Sequence, residues 1–138
     1  MGKRLVIVLD THALLRWLSN PERIPVKSRR LLDRAVKEDS AIAVSCISSW
    51  EIAMLTQRGR LELTMPVDTW LAHVEEIPWI QFVPVDNRVA VRSTQLDGFP
   101  HRDPADRLIV ATTLVHNGTL VTADERLRSW KGVRTLWD

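Results

Sequence analysis

Short apolar runs alternate with amphipathic stretches along this chain, and the alternation reads βαβα. Leu5 to Leu9 (LVIVL) is a continuous apolar run rich in β-branched residues, the pattern of a central strand covered on both faces. The spacing then predicts a helix from about Thr11 to Ser19, with Leu14, Leu15, Trp17 and Leu18 on its apolar side and Asn20-Pro21 as its stop. Pro25 suits the first turn of another helix, reaching about Lys37. Ala41 to Ser45 is a second buried strand, followed by a helix from about Ser48 to Arg58 that closes at Gly59. Val67 to Ile77 reads as helix, Gln81 to Val85 as strand, and Asn87 to Leu96 as helix capped by Asp86. Asp103-Pro104 opens the last major helix, which runs to an Asn117-Gly118 stop. Thr119 to Thr122 is a fourth strand, a short helix follows Asp124, and Val133 to Trp137 is a terminal extended segment. Crossovers of this length allow parallel pairing, so the expected fold is α/β, a three-layer sandwich on a mainly parallel sheet.

Composition narrows the picture a little. A chain of 138 residues, 45% hydrophobic and 26% charged, fits one soluble globular domain, residues 1–138, with a single core. The net charge of +2 is nearly balanced and says little about partners. Most of the 19 cations are Arg, whose planar fork suits phosphate but which is also an ordinary surface residue. Cys46 stands alone, so no internal disulfide can form, which fits a reducing compartment. The run from Leu5 to Leu9 is too short for a signal segment or a membrane span. The expectation is a cytoplasmic protein with no membrane association.

The acids carry the chemistry. Open α/β sheets bind ligands outside the carboxyl ends of their strands. Asp10 ends the first strand, Glu51 falls in the first turn of the helix after the second, and Asp124 lies just past the fourth. Asp103 and Asp106 share one side of the helix opening at Asp103-Pro104, and the strand order decides whether that turn reaches the same rim. Each acid also has a purely structural reading. Ser48-x-x-Glu51 has the form of a capping box. Asp10, Asp103 and Asp124 each precede a helix as an N-cap would, and Asp106 sits where negative charge offsets the helix dipole. Jointly, however, four carboxylates on one rim repel one another, and a cation resolves the conflict. Oxygen donors with no His or Cys cluster point to Mg²⁺ or Mn²⁺. Such an ion activates water and neutralises a scissile phosphate, which makes phosphodiester hydrolysis the natural reaction.

The segments VLDTHALLRWL, SSWEIAMLTQRGRLEL, HRDPADRLIVATTL and LVTADERL, with VRTLW at the end, together resemble the PIN domain of VapC-type toxins in order and spacing over nearly the whole chain. The resemblance implies a PIN-like α/β/α sandwich and a Mg²⁺- or Mn²⁺-dependent endoribonuclease acting on RNA. It also implies a homodimer and neutralisation by a cognate antitoxin. On the family pattern the four acids match Asp10, Glu51, Asp106 and Asp124, with Thr122 supporting the last. Asp103 matches a frequent further acid, as a metal or supporting residue. Two positions depart: Ala105 stands where relatives often carry an aromatic residue, and Leu55 where a Lys is often seen.

Other residues have plainer readings. His12 and His101 adjoin proposed acids but are left outside the metal set, and Ser48 is explained by capping. Arg107 is expected to pair with nearby carboxylates, and most of the six Trp to lie in the core or an interface. Trp17 with Leu14, Leu15 and Leu18 is the candidate partner or dimer surface. His12 stands where a haloacid-dehalogenase-like phosphatase needs its second Asp, and no Gly-rich Lys-Ser/Thr motif of a P-loop enzyme occurs. The competing reading is a catalytically weak PIN-like module that binds RNA or protein.

Overall fold

The computed structural model describes residues 6–138; Leu5, the predicted start of the first strand, lies outside them. Five parallel strands form one sheet in the order β3-β2-β1-β4-β5: β1 (Ile7–Leu9), β2 (Ile42–Ser45), β3 (Ile80–Val83), β4 (Thr119–Val121) and β5 (Thr135–Leu136). Seven α-helices connect and cover the described strands: α1 (Thr11–Ser19), α2 (Val26–Lys37), α3 (Cys46–Gln57), α4 (Val67–Glu75), α5 (Asn87–Arg92), α6 (Pro104–Val115) and α7 (Glu125–Ser129). A short 3-10 turn, Pro21–Arg23, follows α1. No helix among the described residues is long and apolar enough to cross a membrane.

Period-two alternation divides the core between the two faces of the sheet. Ile7, Leu9, Ile42, Val44 and Val121 point to one face, where they meet Leu14 of α1, Leu32 of α2, Ile52 of α3 and Val74 of α4. Val8, Ala43 and Leu120 point to the other, where they meet Ile109 and Val110 of α6 and Leu127 of α7. The three residues of β1 are sealed from solvent, as the unbroken LVIVL run requires. Each such side chain stabilises the fold by about 1.5–3 kcal/mol through burial.

Helix ends follow the sequence signals. At Gly59, with φ of +70°, α3 stops in a motif whose amides at Gly59 and Arg60 reach back to the carbonyls of Thr56 and Leu55. After α6 it is Asn117, at φ 53°, that takes the left-handed turn. Gly118 serves a different need: a Cβ there would stand 2.9 Å from the carbonyl oxygen of Val6.

Several expectations are corrected. The helix predicted from Ser48 starts at Cys46, because the Ser45 hydroxyl accepts from the amide of Ile47 and caps it three residues earlier. Ser48-x-x-Glu51 is therefore no capping box: Ser48 is inside the helix, and Glu51 lies in its second turn. α5 ends at Arg92 rather than Leu96, and the third strand spans Ile80–Val83 rather than Gln81 to Val85. Leu14 is buried in the core and cannot belong to a partner surface, while Leu15, Trp17 and Leu18 are half-buried against the same cluster. No Trp is fully buried; Trp50 and Trp79 are exposed and the other four are half-buried.

Candidate active site

Strand order creates the site. The chain steps from β1 to β2 on one side and later returns to β4 on the other, so the carboxyl end of β1 is the switch point of the sheet, where α/β folds bind ligands. Asp10 emerges there, its amide donating to the carbonyl of Val121 on β4. Its Oδ1 caps α1 by accepting from Ala13 N at 2.8 Å. Thr122, fully buried at the end of β4, hydrogen-bonds the Asp10 carboxylate and accepts from the amide of Asp124 at 3.1 Å. The predicted support by Thr122 thus has a physical form: one hydroxyl ties Asp10 to the backbone of Asp124. Burial nevertheless raises the Asp10 pKa; the hydrogen bonds from Thr122 and Ala13 oppose the rise, and the charge of Asp124 adds to it.

Glu51 is positioned from below. Thr11 and Ser48 are both buried, with Thr11 Oγ1 2.8 Å from Ser48 Oγ and 2.5 Å from Glu51 Oε1. A hydroxyl has one proton to give, so Thr11 donates to the carboxylate and accepts from Ser48. Ser48 acts as the base of this relay, a role its local sequence does not announce.

Asp106 sits in the first turn of α6, whose N-cap is Asp103, accepting from Ala105 N at 2.9 Å. Its pKa is pushed up to about 6, first by burial and then by the charge of Asp103, with smaller contributions from Glu51 and Asp124; His101 opposes the rise. Asp124 caps α7, its Oδ1 accepting from the amides of Arg126 and Leu127 at 2.9 and 3.2 Å. Its Oδ2 lies 2.9 Å from His101 Nε2. One donor atom each from His101, Asp106 and Asp124 falls within 4.8 Å of the others. Asp10 and Glu51 stand outside that triangle but act on it electrostatically, Asp10 paired with Asp124 and Glu51 with Asp106. Asp103 is an exposed cap whose charge reaches Asp106.

The acids proposed from sequence are therefore brought to one rim, and most also do the structural job that competed as an explanation. Asp10 and Asp124 each spend one oxygen on a helix start, and the second oxygen of Asp124 meets His101. His101 is the residue sequence reasoning left out; its signal was its place in Pro100-His101-Arg102-Asp103-Pro104, immediately before a helix start. Arg107 does not pair with a carboxylate. Its guanidinium donates to the carbonyls of His101 and Ser93 at 3.1 and 3.2 Å and lies over the ring of Phe99. His12 is exposed.

The donor set suits a hard divalent cation, since it is dominated by carboxylate oxygens, whose mutual repulsion adds to the rise that burial gives Asp106. A hollow of about 540 Å³ lined by Arg88, Val91, Arg92 and Leu114 lies elsewhere, between α5 and α6.

Comparison with known proteins agrees with this geometry. The PIN domain model matches residues 7–132. The chain belongs to the PIN-domain family. Ribonuclease VapC22 of Mycobacterium tuberculosis is 35% identical over 133 residues, which span 95% of this PIN domain chain and 98% of that protein. The crystal structure of VapBC2 from Rickettsia felis, bound to a DNA fragment from their promoter, superposes with a TM-score of 0.71 at 15% identity, covering 97% of this chain and 100% of that one. A toxin-antitoxin complex from Klebsiella pneumoniae gives a TM-score of 0.58 at 19% identity, over 94% and 95% of the two chains. At such identities the structures speak for the PIN fold alone, and the five-stranded parallel sheet described above is that fold.

Proposed function

We propose that this protein is a VapC-type endoribonuclease toxin, hydrolysing RNA phosphodiester bonds with Mg²⁺ or Mn²⁺ held by Asp10, Glu51, Asp106 and Asp124. The observation that carries the proposal is the self-repelling rim: Asp106, pushed up to about 6 first by burial, also faces the charges of Asp103, Glu51 and Asp124, a concentration of charge that helix capping, which Asn serves as well, does not require. The family relative named as a ribonuclease supports the same reading. When bound, the cation supplies Lewis-acid chemistry, activating water and neutralising charge that builds on the phosphate.

The chain's own residues prepare that rim. Thr122 and the Ala13 amide fix the Asp10 carboxylate, so it needs no rearrangement to meet its ligand. Thr11 and Ser48 aim Glu51. The α7 amides hold one oxygen of Asp124 and leave Oδ2 facing the rim. Asp103 acts as the supporting cap of α6. Preorganised carboxylates of this kind lose no energy to reorientation when charge develops.

The protein is expected to work in the cytoplasm as a homodimer; restraint by a protein antitoxin is supported by the toxin-antitoxin complexes among its structural neighbours. The test uses the full chain, labelled RNA and added Mg²⁺ or Mn²⁺. Wild type should cleave, chelation by EDTA should stop it, and Asp10→Asn should lower the rate by roughly a hundredfold to a thousandfold. A folded Asp10→Asn variant that cleaves at the parent rate removes the assignment. RNA binding by the parent without metal-dependent cleavage favours a binding module instead. Expression without growth arrest, with no antitoxin gene adjacent, removes the toxin role and leaves the nuclease.

A further inference from the structure

We infer that His101 is a nitrogen donor of the metal site and biases it toward Mn²⁺ over Mg²⁺. The inference rests on the metal-dependent reading above and concerns a residue outside the four acids. His101 Nε2 stands 2.9 Å from Asp124 Oδ2, and both, with an Asp106 oxygen, fit within 4.8 Å. An octahedral ion with bonds of about 2.1 Å sets adjacent donors about 3 Å apart and opposite donors about 4.2 Å apart. The His101–Asp124 spacing is that of two adjacent ligands.

The ring is also held for the purpose. Its side chain is only 15% exposed. The edge-to-face contact with Phe99, centroids 5.9 Å apart, limits ring rotation, and Phe99 is itself braced by Trp130 at 5.1 Å. Arg107 of α6, the helix that carries Asp106, grips the His101 carbonyl at 3.1 Å, which ties the loop holding His101 to that helix. On the other side, the α7 cap consumes Asp124 Oδ1, so the oxygen facing His101 is the one left for a ligand. A surface His without a task would have no need of this bracing.

The consequence for ion choice follows from donor chemistry. Mg²⁺ prefers oxygen and keeps its waters, whereas a nitrogen donor is better accepted by a transition ion such as Mn²⁺.

His101→Gln separates donation from simple hydrogen bonding, because the Gln amide can still donate to Asp124 but offers no imidazole nitrogen. Pulsed EPR of the full chain loaded with Mn²⁺ should show ¹⁴N modulation from directly bound imidazole, lost in His101→Gln. Calorimetric titration should show Mn²⁺ affinity falling about tenfold in the variant, with Mg²⁺ affinity changing far less. Mn²⁺ bound by wild type without nitrogen coupling, or no Mn²⁺ binding at all, overturns the inference, and neither measurement requires the variant to fold. An unchanged Mn²⁺ affinity in folded His101→Gln overturns it as well. RNA cleavage without nitrogen coupling sinks the His101 assignment and spares the nuclease reading. Nitrogen-coupled Mn²⁺ with no RNA cleavage does the reverse.

Discussion

On the β1 side of the rim, Asp10 and Glu51 lean on hydroxyls that are themselves sealed in the interior: Thr122, Thr11 and, beneath it, Ser48. On the α6 side, Asp106 is raised first by burial and then faces charges, with Asp103, Glu51 and Asp124 adding to the rise and His101 opposing it. The first half is oriented by dipoles built into the core. The second half is a set of opposed charges whose lowest energy comes with a proton or a cation. A site divided in this way has a rigid side that aims and a responsive side that senses what is bound.

The largest effect should come from the aimed side. Glu51→Gln keeps the side-chain length but removes the charge, and RNA cleavage with Mn²⁺ should fall by at least roughly a hundredfold; a drop under a few fold would show that Glu51 is only a neighbour of the chemistry.

The responsive side should show itself in stability. Without metal, the folded protein holds a proton on Asp106 up to about 6, against 3.8 for the unperturbed carboxyl, so between those values it binds more protons than the unfolded chain. Stability contributed by this group is present below 3.8 and lost as pH rises toward 6. The loss is at most about 3 kcal/mol, less whatever solvent screening removes at a partly exposed site. Urea unfolding of EDTA-treated wild type and Asp106→Asn across pH 4 to 6.5 should reveal a steeper decline in the parent, since Asp10 with its own raised pKa remains in both, and added Mn²⁺ should reverse it. Parallel pH curves for the two proteins would contradict the charge argument.

Thr11→Val should cost about 1–3 kcal/mol, because it strands the buried Ser48 hydroxyl and takes the donor from Glu51. It should also slow cleavage, whereas a stability loss with the rate unaltered would mean that Glu51 aims itself. The smallest effect is expected at Asp103→Asn: Asn caps nearly as well, so stability should hold within about 0.5 kcal/mol, measured by urea unfolding. Asp103→Ala should lose about 1 kcal/mol in the same assay.

The sheet, its strand ends and the stops at Asn20-Pro21, Gly59 and Asn117-Gly118 were legible because the signals are local: an apolar run, a residue at positive φ, a Pro that cannot continue a helix. Convergence of the acids was legible for Asp10 and Asp124, which ride on strand ends. Asp106 needed the strand order, which the alternation of elements does not specify. The place of Ser48 and the contacts of His101 were not legible, for opposite reasons. Ser48-x-x-Glu51 carried a local signature that lost to Ser45, whose hydroxyl met the helix first. His101 had only its place before a helix start as a local signal, since its aim is set by Arg107 and Phe99 through contacts that only the folded chain makes.

Helix capping by Asp10 and Asp124 has a genetic consequence. Any Asp codon becomes an Asn codon by one transition, and Asn starts a helix about as well as Asp while carrying no charge. If the proposed toxin role holds, the shortest mutational path under selection against its activity therefore leads to chains that are disarmed but still folded. Such survivors should remain soluble, keep their binding surfaces and compete with the active form for any shared partner.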